Sequence, residues 1–133
     1  MAVVTEVLEV TEVLEMAEGK LDAVVVGQIR KLGGQDLLDK LMELFLTHTP
    51  ERLQEIRSGI DSGDLLRAEK GLHSLRSSSV SLGARDLAEQ AAVCERFAKN
   101  GDLKKVKDGF VSVEMATEEI LALMRAQLGE EPK

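Results

Sequence analysis

Histidine is the side chain in this sequence best suited to nucleophilic chemistry at neutral pH, and one histidine has neighbours that favour it. His73 is followed by Arg76 at i+3 and Ser77 at i+4, positions that share one side of an α-helix. An imidazole is largely neutral at pH 7 and can attack phosphorus, while an arginine can offset the charge of phosphoryl oxygens. The small Ser77 and Ser78 leave the imidazole accessible. This set predicts that His73 is an accessible nucleophile.

The segment around His73 is predicted to be an amphipathic helix over residues 64–82. At about 100° per residue, His73 points roughly 130° away from the centre of the apolar side, so we expect its imidazole in solvent. Asp64 is the expected N-cap, and Gly83 is the glycine expected to end the helix. The residues predicted to face the core recur at steps of three and four: Leu65, Ala68, Leu72, Leu75, Ser79 and Leu82.

The second histidine, His48, lies on another predicted helix that begins at Asp36. Pro50 falls inside this helix and removes one backbone donor, which predicts a kink near residue 47. His48 lacks the small-residue surroundings of His73, and its sequence context gives no support for a catalytic role. We interpret it as a surface histidine.

Apolar residues at helical spacing predict further helices on both sides of the His73 segment. A short helix is expected from Asp22 to Leu32, ended by Gly33 and Gly34, and two helices are expected after Gly83. No strand pattern is found, and short connections favour antiparallel neighbours. The predicted fold is all-α, an antiparallel up-and-down four-helix bundle over residues 21–128 with one or two extra N-terminal helices, followed by a tail at residues 129–133.

Residues 1–20 are predicted to form a separate N-terminal amphipathic helix. Their apolar residues follow a narrow seam with acidic residues opposite: Val3, Val7, Val10, Leu14 and Ala17. Three interpretations remain open for this extension. It can be an additional packing helix, a dimer seam, or a contact to a neighbouring protein.

Composition excludes several classes of function. The net charge of −7, with a pI near 4.9, argues against nucleic acid and against anionic membrane surfaces as partners. No apolar run approaches the length of about 20 residues that spans a bilayer, and no signal peptide is visible, so we expect a cytoplasmic protein. The single cysteine, Cys94, excludes an internal disulfide and fits a reducing compartment. Two histidines and one cysteine do not converge in sequence, so no metal site is predicted. We expect a monomer.

The segment from His73 to Gly83 resembles the conserved motif of histidine-containing phosphotransfer (HPt) domains. In this chain the motif is His73-x-Leu75-Arg76-Ser77-Ser78-Ser79, closed by Gly83. Arg76 stands where the family usually has lysine, and Ser77 where it usually has glycine. Both departures keep the chemical character, a cation and a small residue, so Arg76→Lys is expected to be tolerated. The resemblance covers roughly residues 21–128 and extends to three further stretches: Leu21-Asp22, Asp36 to Phe45, and Cys94-Glu95 with Gly101-Asp102.

The resemblance implies a phosphorelay intermediate without autokinase activity. His73 would accept a phosphoryl group from the aspartyl phosphate of a response-regulator receiver domain and pass it to another receiver. A hybrid histidine kinase is a further possible partner, no cofactor is expected on this chain, and Mg²⁺ would sit on the receiver. By the same resemblance, Glu95 would orient His73. No nucleotide-binding pattern is present that would allow phosphorylation directly from ATP.

The exposed side of the His73 helix is also the predicted docking face. Leu66 and Val80 fall two turns before and after His73, and apolar residues flanking a reactive group indicate a contact surface. We assign Glu69, Lys70 and Ser77 to the same face. Alternatively, Leu66 packs under the N-terminal helix and Val80 under the turn that follows. The competing functional interpretation is a helical docking module that binds receiver or kinase domains without phosphotransfer.

Overall fold

A computed structural model describes residues 21–129 and contains four α-helices in this range, with no strand. They are α1 (Ala23–Ser62), α2 (Leu65–Ser81), α3 (Arg85–Lys99) and α4 (Leu103–Leu128). Each helix packs on the next, and α1 also packs on α4, which closes the bundle. The predicted all-α bundle is confirmed. The predicted N-terminal helix at residues 1–20, and residues 130–133 of the predicted tail, lie outside the described residues.

The long helix α1 changes direction at Gly34, where the sequence analysis expected one helix to end and another to begin. Gly34 is the only interior residue of α1 with non-helical dihedrals, φ 73° and ψ −172°. A positive φ of this size is accessible to glycine at little cost, whereas a side chain would strain it. The segment before Gly34 buries Val26 and Ile29 against the rest of the bundle. It corresponds to the extra helix expected before the four-helix core.

The kink predicted near residue 47 is not accompanied by any departure from helical dihedrals. Pro50 lies within α1, and the residues around it keep helical φ and ψ. Proline has a φ compatible with the helix and removes only one donor, so the helix continues through it. The glycine, not the proline, therefore interrupts α1.

Aspartate side chains cap the start of three helices, and two of these caps, Asp22 and Asp64, were predicted from the sequence. Asp22 Oδ1 accepts a hydrogen bond from the Val24 amide at 2.8 Å, and Asp64 Oδ1 accepts one from the Arg67 amide at 3.1 Å. Asp102 caps α4 in the same way. These contacts satisfy amide donors that have no partner inside a helix.

Gly83 ends α2 and also joins it to the start of α1. Its φ of 77° is the left-handed conformation typical of a glycine that follows a helix. Its carbonyl accepts the Asp22 amide at 2.6 Å. A Cβ at this position would lie 3.0 Å from both the Asp22 nitrogen and the Val25 Cβ. Gly83 is therefore required by its conformation and by the close approach of α1.

The core is aliphatic and fixes the orientation of α2. Of the six residues predicted to face inward on α2, five are buried and Leu65 is partly buried. Ser79, buried among them, donates its hydroxyl to the Leu75 carbonyl at 2.6 Å. Because this side of α2 is committed to the core, His73 lies on the solvent side. No helix in the described range is long and apolar enough to cross a membrane.

Candidate functional site

The imidazole of His73 lies at the surface of α2, with one nitrogen held by a buried carboxylate on α3. The His73 side chain is 57% exposed, whereas that of Glu95 is only 5% exposed. His73 Nδ1 lies 3.1 Å from Glu95 Oε2, within hydrogen-bond distance. The ring is therefore accessible at one edge and fixed at the other.

Glu95 is buried because it lies beside the apolar side of α3 that packs against α2. Its neighbour Cys94 is fully buried, and burial raises the pKa of that thiol to about 11, so it stays protonated. A carboxylate in such a place needs nearby cations or donors. Glu95 has three: the His73 imidazole, Arg76 Nε at 2.9 Å from Oε1, and Lys99 Nζ at 3.5 Å from Oε2.

These neighbours keep Glu95 ionised in spite of its burial. Burial by itself raises the pKa of the carboxyl. The hydrogen bond from His73 and the electrostatic effects of Arg76, His73 and Lys99 outweigh this effect, and the net result is a lowered pKa. Glu95 is therefore negatively charged at neutral pH and can accept hydrogen bonds but not donate them.

The charge of Glu95 determines which nitrogen of His73 is free to react. Arg76 Nη2 also lies 3.0 Å from Nδ1, and a single ring nitrogen cannot donate to the carboxylate and accept from the guanidinium at once. An ionised carboxylate at 3.1 Å favours a proton on Nδ1. The lone pair is then on Nε2, at the exposed edge of the ring.

The serines of the predicted site have different positions. Ser77 is exposed one turn after His73 and has a small side chain. Ser78 is partly buried, and its hydroxyl donates to the Leu75 carbonyl at 3.1 Å while lying 3.5 Å from Arg52 Nη1. The structure thus brings His73, Arg76, Ser77 and Glu95 together, and it turns Ser78 toward α1.

Comparison with known proteins gives the family. The family model described as Hpt domain matches residues 40–130, well over half of the chain and including all of α2 and α3. The chain belongs to the Hpt domain family. This family consists of phosphorelay proteins, and it implies response-regulator receiver domains as partners.

A solved structure supports the fold of this Hpt domain. The chain is similar to the crystal structure of histidine-containing phosphotransfer protein B (HptB) from Pseudomonas aeruginosa PAO1, with a TM-score of 0.77 and 21% sequence identity. The alignment covers 81% of this chain and 93% of that one. No curated protein matches the sequence.

The predicted docking residues of the Hpt domain lie on the surface around His73. Leu66 is 61% exposed and Val80 is 59% exposed. Lys70 is exposed and Glu69 partly exposed on the same helix. Val80 is thus not covered by the turn that follows it, whereas the alternative that the N-terminal helix covers Leu66 lies outside the described residues.

His48 borders a groove between α1 and α2. Arg52 and Lys70 also line this groove, which has a volume of about 720 Å³. Within residues 21–129, the side chain of His48 forms no hydrogen bond or ion pair. The structure therefore gives His48 no partner comparable to the carboxylate behind His73.

Lys99 is a member of the site that the sequence analysis did not identify. It lies one turn after Glu95 on α3, an i,i+4 spacing that favours an ion pair. This spacing was visible in the sequence. It acquires meaning only when Glu95 is known to be buried, because an exposed i,i+4 pair is common on helix surfaces.

Proposed function

We propose that this Hpt domain accepts a phosphoryl group on His73 from the aspartyl phosphate of one receiver domain and passes it to the aspartate of another. The observation that carries this proposal is the contact between His73 Nδ1 and the buried, ionised Glu95. It leaves the Nε2 lone pair facing solvent on a side chain that is 57% exposed. An accessible nucleophile that needs no base of its own fits transfer between proteins.

The reaction requires one bond to form and one to break. The Nε2 lone pair attacks phosphorus, and the bond between phosphorus and the aspartyl oxygen breaks, releasing the carboxylate of the donor. His73 gains positive charge as the new N–P bond forms, since its Nδ1 keeps a proton. Glu95 lies against that proton and stabilises the charge. Transfer to the second receiver reverses these changes.

Arg76 supplies a positive charge close to the transferring group. Its side chain is 38% exposed and lies beside the His73 ring. Once it moves to the Nε2 edge of the ring, the guanidinium can form charge-assisted hydrogen bonds with phosphoryl oxygens. Mg²⁺, where the reaction uses it, is expected on the receiver.

The docking face is proposed to consist of Leu66, Glu69, Lys70, Ser77 and Val80. The two apolar residues flank His73 at both ends, and exposed apolar residues close to a reactive group fit a surface that a partner covers. Ser77 has little bulk, so a receiver can close over the imidazole. The charges of Glu69 and Lys70 contribute more to partner choice than to affinity.

The proposal is tested by incubating the protein with a panel of phosphorylated receiver domains and following acid-labile phosphate. Transfer from at least one receiver to His73, with onward transfer to an unphosphorylated receiver, is the expected result. Binding of a receiver without labelling of His73 would instead establish a docking module that has no phosphotransfer activity.

The docking face is tested with Leu66→Glu and Ser77→Phe. Both variants should weaken receiver binding, by about tenfold for a hot-spot position, without loss of helicity. Val111→Glu is the matched control, because Val111 is 56% exposed and lies on α4, whereas His73 lies on α2. Unchanged dissociation constants for both variants would place the docking face elsewhere on the bundle.

A further inference from the structure

Arg76 lies at the wrong edge of the imidazole to bind a phosphoryl group. Its Nη2 is 3.0 Å from Nδ1, the nitrogen held by Glu95, whereas a phosphoryl group would be bonded to Nε2 on the other edge. Arg76 must therefore move across the ring before it can contact phosphoryl oxygens. This movement takes its guanidinium away from Glu95.

The present position of Arg76 is stabilised by Glu95 and not by His73. With a proton on Nδ1, the guanidinium and the ring nitrogen both present N–H groups, so this contact is unfavourable. The ion pair from Nε to Glu95 Oε1, at 2.9 Å, offsets it. The Nε atom is buried but its N–H is not aligned for a hydrogen bond, so Arg76 holds Glu95 by charge alone.

Departure of Arg76 would leave a buried carboxylate with fewer cations around it. The Glu95 side chain is only 5% exposed, and removing one partner from a buried charge is strongly unfavourable. Lys99 Nζ remains, 3.5 Å from Oε2. The Lys99 side chain is 55% exposed, so its ammonium can move closer to the Glu95 carboxylate without leaving a buried position.

We propose that Lys99 is a positioning residue, which keeps Glu95 charged and bound to His73 while Arg76 moves to the phosphoryl group. Lys99 does not touch the phosphoryl group and acts on the reaction through Arg76. This inference rests on the proposed function of His73. It adds a residue on α3 to the residues that determine the rate.

The test uses phosphoramidate, a small phosphoryl donor that reacts with the protein without any receiver. Lys99→Met should slow phosphohistidine formation on His73 by about three- to tenfold, the effect of losing one partly screened cation. Lys99→Arg should restore the rate. Lys104→Met is the matched control, because it removes the same charge from an exposed lysine on α4 and should leave the rate unchanged.

A double-mutant cycle with Arg76→Ala distinguishes this role from a structural one. If Lys99 acts through Arg76, Lys99→Met should have less than about a twofold effect once Arg76 is alanine. The ¹⁵N resonance of His73 Nδ1 should still report its hydrogen bond in Lys99→Met, since His73 and Glu95 remain in contact. A wild-type rate in Lys99→Met, or a full effect in the Arg76→Ala background, overturns the inference.

The same samples separate this inference from the proposed function. One outcome is that phosphoramidate labels His73 with the expected double-mutant cycle while no receiver labels it. That result would reject the proposed transfer from receivers and would support the role of Lys99. Receiver-dependent labelling with no effect of Lys99→Met in either assay would support the proposed relay and reject the positioning role of Lys99. No labelling of His73 by phosphoramidate would overturn the role of Lys99.

Discussion

His73 and His48 are both exposed histidines on neighbouring helices, yet only His73 has a buried charge behind it. Glu95 reaches it from α3 at 3.1 Å, whereas His48 borders an open groove between α1 and α2. Exposure makes an imidazole accessible, but it does not determine which nitrogen carries the proton. The difference between the two sites is therefore made by the adjacent helix and not by the helix that carries the histidine.

The largest expected effect separates the two histidines directly. His73→Gln should abolish phosphate acceptance and leave the fold intact, because the side chain is exposed and fills no core volume. His48→Gln should leave acceptance unchanged. Acid-labile labelling of both variants measures this, with circular dichroism to verify folding. Loss of labelling in His48→Gln would remove the distinction between the sites.

Removing the charge of Glu95 should leave His73, like His48, without a carboxylate that fixes the position of its ring proton. Glu95→Gln keeps the shape of the side chain but lets the amide donate to Nδ1, which places the proton on Nε2. We expect the transfer rate to fall by on the order of 10²-fold, the usual contribution of a positioned acid–base partner. Glu89→Gln, an exposed carboxylate on the same helix, is the control. Equal rates in the two variants would show that Glu95 has no role in orienting the ring.

Arg76 tests how far the positive charge beside His73 matters. Arg76→Ala should remove about 1.5–3 kcal/mol of stabilisation from the transition state of phosphoryl transfer, the range for one hydrogen bond to a charged group. The transfer rate should fall accordingly. The sequence suggested that Arg76→Lys would be tolerated. The structure changes this expectation to partial activity, because an ammonium lacks the planar guanidinium that contacts Glu95 and can form two hydrogen bonds with a phosphoryl group. Single-turnover kinetics of the three proteins should rank wild type, lysine and alanine in that order.

The smallest expected effect is on stability at acid pH. The pKa of Glu95 is lowered in the folded protein, so its charged interactions stabilise the fold fully above the unfolded value of about 4.3. This contribution is lost as the pH falls through the lower folded value. In urea unfolding, the free energy of unfolding of wild type should therefore exceed that of Glu95→Gln at pH 7, and this difference should narrow below about pH 4. A difference that widens on acidification would contradict the charged state of Glu95.

The sequence predicted the features that depend on local periodicity and capping. The buried side of α2, the Asp64 cap and the glycine at residue 83 all follow from rules that act within one helix. The interruption of α1 was only partly predicted. Glycine at residue 34 was recognised as a helix end, but Pro50 was expected to cause a kink that its helical φ does not require.

Contacts between helices could not be read from spacing. The pairing of His73 with Glu95 was expected from a family resemblance alone, because 22 residues separate them in the chain. The partners of Glu95 on α2 and α3 depend on its burial, and burial of a charged residue is not visible in a sequence pattern. Lys99 was missed for this reason, and Ser78 was assigned to the site although its hydroxyl bonds to its own helix.

The most direct test of phosphoryl transfer through His73 is to locate the phosphoryl group after transfer. The protein is labelled with ¹⁵N, phosphorylated by a receiver domain, and its histidine rings are observed by ¹⁵N and ³¹P NMR. We predict a single phosphohistidine at residue 73, bonded through Nε2, with Nδ1 still protonated against Glu95. A phosphoryl group on Nδ1 of His73, or on His48, would contradict the role of Glu95 in leaving Nε2 of His73 as the reactive nitrogen.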